Sequence, residues 1–499
     1  MTKLDYYNFS GGMNTKTSPL ILKDNECELI INYNLDIVGA LTKRRGMTNV
    51  VAQIVNNQNI LGLYFFKDSQ GTDYSNILAT CNDGTPGTNT DTYKFNGGIW
   101  SKSLEDDTLS VNQFFFTFLD SVFRVNGVQK VSVSADLITW TNVDTPDTTV
   151  PDLKPKYGCV WEDRVYVAHE NGTTKQPSRI YWSSLPSSGD ITWAITTDFT
   201  DINPDDNDFI TWIEPFGNKL LIFKNYGMYR WTFGQVEPDK IIDVGTPEGR
   251  TVKQLHGLCF WTNKDGVYIY SEGMPKLISR KVQKWFDAAV SNTSSFRAEV
   301  DEDHYYVFIG DVTVDRIAYT NILMCYTISL DAWHIEQYPL PFKAMVKARA
   351  GTYGGITLTD SIYFGDNDGG FWKLHHTDSS NVNLDLTDAS AGTHNPIEGK
   401  ILTKEYPLAN FPKTSILKML YFFSGLPTGT KVNYRIDRGE WKPWKDLQSR
   451  ITEGGLSGRA RTIQFSITDN SRVMSQIEGF SIELEPEKGK LRKENNEND

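Results

Sequence analysis

"KDGVYIYS", Lys264 to Ser271, is the stretch on which the fold turns. A polar turn leads into a Gly, and large side chains then alternate with one another along the chain. The same design returns in "NYGMYRWT", Asn225 to Thr232, and in "NDGGFWKL", Asn367 to Leu374. A Gly after a polar pair supplies the positive φ that a tight hairpin needs. The alternation that follows places aromatics on one face of a half-buried strand. A Gly-dependent hairpin is therefore predicted at Asp265-Gly266.

Looser copies centre near Tyr93, Phe123, Tyr181 and Tyr326. A second feature accompanies them, an acidic or small turn ending in Trp: "SADLITW" at Trp140, "SGDITW" at Trp193 and "SLDAW" at Trp333. Further strand pieces lie between, such as "DRVYVA" (Asp163 to Ala168), "KLLIFK" (Lys219 to Lys224) and "HYYVFI" (His304 to Ile309). The seven repeat centres are spaced by about 30 to 60 residues, the size of one four-stranded propeller blade. One blade cannot bury both of its faces alone, so such a series must close into a ring. The expected fold is all-β: a β-propeller of six to eight blades over residues 61–382. A large β-sandwich would give similar alternation but would not repeat the turn–Gly–aromatic pattern so often.

Attachments flank the ring. Residues 1–60 read as an extended N-terminal arm and lead-in. The polar run "DLTDASAGTHNPIEGK" marks a linker over 383–400. Period-two stretches between Gly, Pro and Asn turns, including "RTIQFSITD" and "IEGFSIELEP", predict a C-terminal β-sandwich over 401–486. The charged, apolar-poor end over 487–499 is expected to be disordered, and deleting Lys488 to Asp499 is expected to leave folding intact.

Composition bounds the function. The chain has 499 residues, 39 % of them hydrophobic, with 26 Phe, 23 Tyr, 13 Trp and 39 Gly, which is ample for a core rich in strands and turns. The formal net charge of −12 is the wrong sign for a protein that grips nucleic acid through its phosphates. No apolar run approaches the roughly 20 residues needed to span a bilayer. The start "MTKLDYYNFSGG" lacks the apolar stretch of a secretion signal, so folding in a cytoplasm is expected. Cys27, Cys81, Cys159, Cys259 and Cys325 are scattered and odd in number, and read as small buried hydrophobes.

Chemistry is hard to find in the sequence. There is no H-E-x-x-H, P-loop or G-x-S-x-G. His375 and His376 are adjacent, and adjacent strand residues point to opposite faces, so they are not expected to share a metal. "NPDDNDF" (Asn203 to Phe209) and "DNDGG" (Asp366 to Gly370) lack the ligand spacing of a calcium loop and read as turns. "SADLITW" approaches the S-x-D-x-G-x-T-W turn of sialidase-like propellers, but lacks its Gly and is one residue short. No catalytic, cofactor-binding or metal residue is assigned, and no enzyme is expected. The cationic triplet Lys43, Arg44 and Arg45 is the candidate site: a solvated loop, a phosphate contact, or a subunit interface reaching an acidic neighbour.

The beginning "YYNFSGGMNTKTSPLILKDNECELIINYNLDIVGALTKRRG" resembles the N-terminal segment of short-tailed phage tail proteins. The matching residues are Phe9, Gly11, Gly12, Ser18, Pro19, Glu28, Asn34, Asp36, Gly39, Leu41, Arg44 and Gly46. The stretch "EDRVYVAHE…PSRIYWSSL" is similar to the propeller core of that family, and "RTIQFSITD…IEGFSIELEP" to its terminal sandwich. The family is the tail hub or nozzle group, which includes packaged-DNA stabilization proteins and tail tubular B proteins. The resemblance implies a structural virion protein, assembled in the host cytoplasm into the tail. It implies a homo-oligomeric ring, a hexamer, around the DNA channel, in transient contact with genomic double-stranded DNA. Portal–adaptor components lie on one side of such a ring, with distal tail or fibre proteins on the other. An acidic wall suits a channel through which DNA slides without sticking. Two other readings stand beside this one: a receptor- or glycan-binding propeller on a virion, and a propeller glycosidase using paired carboxylates.

Overall fold

A computed structural model describes residues 2–486 except 52, 55–57, 68–74, 83–88, 106–111, 144–152, 173–174, 188–189, 377–383, 389–392, 410–412 and 427–428. The charged end over 487–499 lies outside the described residues. The fold is all-β, and Gln283–Ala288 is the one α-helix among the described residues. No helix among the described residues is long and apolar enough to cross a membrane.

Six four-stranded antiparallel sheets form separate propeller blades. Five follow one another along the chain, at 60–104, 114–142, 155–201, 210–242 and 253–277. The sixth consists of Ala344–Ala348, Ser361–Gly365, Phe371–His376 and, as its outer strand, Gly46–Val51 from the lead-in. Between the fifth and sixth blades stands another four-stranded unit, Arg297–Val300, His304–Val314, Ile317–Thr327 and Ala332–Gln337, which begins an eleven-stranded sheet. The first strands line the ring. Arg297–Val300 packs beside Lys253–Leu255 and Ala344–Ala348, and Ala344–Ala348 returns to Ile60–Phe66. A strand from near the start of the chain thus completes the blade that closes the circle.

Blades stack face to face, so their middle strands are buried on both sides. Asn76–Asn82 is buried at all seven positions. Lys219–Lys224 and Leu258–Asn263 are each buried at every position but the first. The quoted repeats form the third strands and are only partly buried, at three of five positions in both Met228–Thr232 and Gly266–Tyr270. Separate aromatic-rich clusters fill the gaps between blades, among them Tyr157, Trp161, Tyr166 and Trp231 in one and Phe308, Phe342, Phe364 and Trp372 in another.

The first 60 residues do not stand off as an arm. Thr2–Tyr6 pairs with Gln476–Pro486, and Glu26–Ile31 inserts between Ala332–Gln337 and Gly399–Thr403. Tyr33–Asn34 and Leu41–Lys43 form a short hairpin that joins the second sheet of the C-terminal sandwich through Gln476–Pro486. The reason is apolar: Phe9, Met13, Ile30 and Tyr33 are buried in the core shared with the sandwich, and a free arm would leave them in water. The expected boundary between lead-in and sandwich therefore does not exist, since one core holds both. The linker over 383–400 also carries structure, a hairpin of Leu384–Asp388 with Thr393–Pro396.

The hairpin at "KDGVYIYS" is present, with a small change of register. Asn263 and Gly266 face each other as partners, so Lys264 and Asp265 are the turn. Gly266 carries the left-handed φ of +121°. Gly369 is also left-handed, whereas Gly227 is not. "DNDGG" is a turn in which Asp366 accepts backbone N–H bonds from Asp368 and Gly370. In "NPDDNDF" Pro204–Asp206 makes a 3-10 turn, and Asp208 reaches away to accept from the N–H groups of Asn225 and Tyr226.

The "SADLITW" turn is structural as well. Asp136 Oδ1 accepts from the N–H groups of Thr139 and Ile138, at 2.7 and 2.8 Å, and Ser134 Oγ accepts from Leu137 N–H. These bonds, first from Thr139 and then from Ile138, draw the Asp136 carboxyl down to about 2 from its ordinary 3.8. They also hold Leu137, buried at φ +58°, in the adjoining cluster. Asp136→Ala is expected to lower stability by about 0.5–1.5 kcal/mol at neutral pH. A depressed pKa stabilises the fold above the unfolded value and ceases to do so as pH falls through the folded value. The gap between variant and wild type in urea midpoint is therefore expected to hold above pH 4 and shrink toward pH 2. A gap independent of pH would show that the ionised carboxylate does not hold the turn.

Candidate functional site

The site lies where the lead-in meets the four-stranded unit at 297–337 and the closing blade. Asn32 sits at φ +59°, which lifts its side chain out of the strand direction. Its Oδ1 accepts from Arg44 Nε and from Gln337 N–H, each at 2.8 Å, and its Nδ2 donates to the Glu398 carbonyl. Arg44 is 1 % exposed. Its guanidinium faces the two carboxylate oxygens of Asp385, donates to the carbonyls of Gln337 and Arg45, and lies 4.0 Å over the Tyr338 ring. Burial works against this charge, but Asp385, with Tyr338 and Glu336, outweighs it and holds the Arg44 pKa above its ordinary value. Lys43 is likewise enclosed, 2.8 Å from the Ser471 carbonyl and 3.4 Å from Asp469 Oδ1, and burial lowers its pKa.

The cationic triplet thus divides. Lys43 and Arg44 are spent inside the chain, so neither reaches a neighbouring subunit from this fold. Arg45 is exposed and borders a pocket. The physical reason is register. The triplet runs from the end of Leu41–Lys43 to the start of Gly46–Val51, and the chain there crosses from the sandwich core to the propeller.

The pocket beside Arg45 has a volume of about 380 Å³, and Asp36, Asp301, Asp303, His304, Tyr306 and His375 contribute to its wall. His304 Nε2 stands 3.6 Å from Asp36 Oδ1. Behind His375 lies a buried group. Glu336 Oε2 accepts from the Tyr338 hydroxyl at 2.7 Å and is 3.0 Å from His375 Nε2. Burial opposes the Glu336 charge, but His375 and then Arg44 outweigh it and lower its pKa to about 2. Burial also opposes charge on His375, and Glu336 reverses this and raises its pKa. His334 is pushed down to about 4, first by burial. Cys325, His334 and Glu336 are all buried, and one ligand-capable atom from each lies within 4.8 Å of the others. Several buried polar atoms here have no hydrogen-bond partner: Asn34 Oδ1, His304 Nε2, Thr327 Oγ1 and His334 Nδ1.

His375 joins this group because its φ of +54°, beside a register shift in the closing blade, breaks simple strand alternation. Sequence reasoning did not find Asn32, Cys325, His334, Glu336 or Asp385. The strand register carried a usable signal, since Cys325 and His334 are direct partners and Glu336 lies two residues on, on the same face. Nothing local marks Asp385, 341 positions from Arg44.

A second opening, of about 270 Å³, lies among first strands of the ring and is bordered by Gln113, Trp212, Arg250, Lys253 and Arg297. Its cations are matched by acids: Arg250 and Arg297 share Glu248, and Lys253 meets Glu299.

No protein-family model and no curated protein matches the chain. Solved structures with a similar arrangement include YCF48 bound to D1 peptide, at 9 % identity, TM-score 0.38, over 67 % of this chain and 96 % of that one. The AfRom2 CNH domain is 9 % identical, TM-score 0.40, over 67 % of this chain and 100 % of that one. The extracellular domain of the putative one component system BT4673 from B. thetaiotaomicron is 12 % identical, TM-score 0.42, over 88 % of this chain and 58 % of that one.

Proposed function

We propose that the protein is a structural subunit of a short-tailed phage tail, a hub or nozzle component that forms a ring around the DNA channel. One observation supports this reading above others. The tail-like lead-in supplies strands to both sheets of the sandwich and the outer strand of the closing blade. Pulling the propeller away from the sandwich would require stripping these strands from their partners. A part that holds pressurised DNA benefits from such stitching, since frayed termini are where folds open first. The opening among the first strands is far too small for a duplex, so the DNA channel in this reading lies between subunits. The protein acts as connector and gate, with portal–adaptor and distal tail proteins as partners, and carries out no catalytic step.

A cyclic ring uses heterologous contacts, in which one patch meets a different patch on the neighbour. Arg45 is the member of the triplet placed to serve one. Purified protein is expected to form a stable hexamer or to dock on a portal–adaptor complex, as read by mass photometry. Arg45→Glu is expected to leave the melting temperature within 1–2 °C of wild type, because an exposed charge contributes about 0–1 kcal/mol. It is expected to weaken assembly, since the same contact recurs around the ring. A chain that stays monomeric and never docks would defeat the reading. Unaltered assembly of Arg45→Glu would remove this residue from the interface.

A further inference from the structure

We propose that Cys325, His334 and Glu336 form a binding site for a zinc-like divalent metal ion. The site is independent of the tail reading and rests on geometry alone. Cys325 and His334 are direct partners on adjacent antiparallel strands, Ile317–Thr327 and Ala332–Gln337. His334 and Glu336 are two residues apart on one strand and so face the same way. Three different donor types thus converge from a rigid sheet, with their ligand atoms within 4.8 Å of one another. A tetrahedral ion with bonds of about 2.0–2.3 Å to nitrogen, oxygen and sulfur needs donors somewhat closer than this, within reach of small side-chain rotations.

A second observation points to a ligand. His334 is 1 % exposed, and its Nδ1 has no hydrogen-bond partner. An orphaned buried ring nitrogen costs free energy in a folded protein unless something occupies it. The Cys325 thiol is held only weakly, donating to the Leu323 carbonyl at 3.6 Å and accepting from the Glu336 N–H. A metal ion between them would give the thiolate and a His334 ring nitrogen a common partner.

The surroundings fit this use. A thiolate and a carboxylate balance a divalent charge, while Arg44 is already neutralised by Asp385. His375 sits 3.0 Å from Glu336 Oε2, the place from which a second histidine orients a ligating carboxylate. His375 also borders the pocket, as do His304 and Tyr306, whereas Cys325, His334 and Glu336 are buried behind that wall. The mixed sulfur, nitrogen and oxygen set favours zinc or cobalt over magnesium or calcium, which select oxygen donors.

The test uses the full chain, stripped with a chelator and titrated with Co²⁺ under reducing conditions. The expected result is a thiolate-to-cobalt charge-transfer band and intense visible bands of a low-coordinate ion, saturating at one ion per chain. Zn²⁺ is expected to displace the cobalt and bleach both. Cys325→Ser should lose the charge-transfer band. His334→Gln and Glu336→Gln should each weaken binding by at least about tenfold, and His375→Gln by about 10- to 100-fold as an orienting residue. Circular dichroism checks that each variant folds. If a variant does not, the wild-type titration still decides. A wild-type protein without the cobalt bands would overturn the proposal, as would a folded Cys325→Ser chain with an unchanged spectrum.

Discussion

Arg44→Met, with Asp385 left in place, is expected to destabilise the protein by about 3–5 kcal/mol, the range for breaking one side of a buried ion pair. The magnitude comes less from the lost attraction than from what stays behind. Asp385 would keep a buried carboxylate with its matching cation gone. Asn32 Oδ1 and the Gln337 carbonyl would each lose a donor, and the Tyr338 ring would lose the cation above it. The Met side chain is similar in length, so packing changes least. Removing both partners, in Arg44→Met with Asp385→Leu, is expected to recover part of the loss, because no unpaired charge remains. Urea unfolding of the three chains measures this directly. The exposed pair Lys240–Asp243 serves as the contrast, since a surface pair contributes about 0–1 kcal/mol. An Arg44→Met midpoint no lower than that of Lys240→Met would show that the buried pair does not lock the lead-in to the ring. Reversing the charge of all three residues from Lys43 to Arg45 would unfold the chain before it could report on a subunit contact, and Arg45 must be changed alone.

Gly266→Val is expected to cost about 2–6 kcal/mol, from two separate effects. A β-branched residue at φ +121° is strained by about 1–3 kcal/mol. Its Cβ would also stand 2.0 Å from Ser279 Oγ, and that oxygen accepts the Val267 N–H at 3.0 Å. Moving Ser279 aside to make room would leave a buried donor unpaired, at about 1–3 kcal/mol more. Gly227→Ala is the internal control. It occupies the corresponding place in "NYGMYRWT" but is not left-handed, and an added Cβ there meets the Tyr229 ring at 3.2 Å, a contact that a small ring movement relieves. Its cost is expected to stay below about 1 kcal/mol, in the range of an ordinary Gly-to-Ala change. Equal melting temperatures for Gly266→Val and wild type would mean that the backbone at this hairpin relaxes freely, and that the repeat's Gly is not what sets the turn.

Some of this protein could be read directly along the chain. Turns and strand alternation are local properties, set within a few residues by backbone sterics and side-chain periodicity. "KDGVYIYS" therefore announced a hairpin, the spacing of its copies announced blades, and six separate blades are present. The five cysteines were legible as buried, and all are. Asp136 and Asp366 were legible as turn residues for the same local reason. Tertiary structure decided what depends on distant partners. Whether Glu26–Ile31 is an arm or the middle of a sheet depends on Gly399–Thr403 and Ala332–Gln337, which no local pattern names. Arg44 was conspicuous as a cation, yet its meaning changed once Asp385 was seen opposite it. Cys325, His334 and Glu336 lie only 11 residues apart along the chain, but they form a set because one antiparallel register puts Cys325 directly across from His334. Shifting that register by one residue would put Cys325 on the opposite face from His334 and Glu336. Sequence specifies which segments can become strands, while the pairing of those strands, fixed by burial of both faces at once, decides which side chains meet.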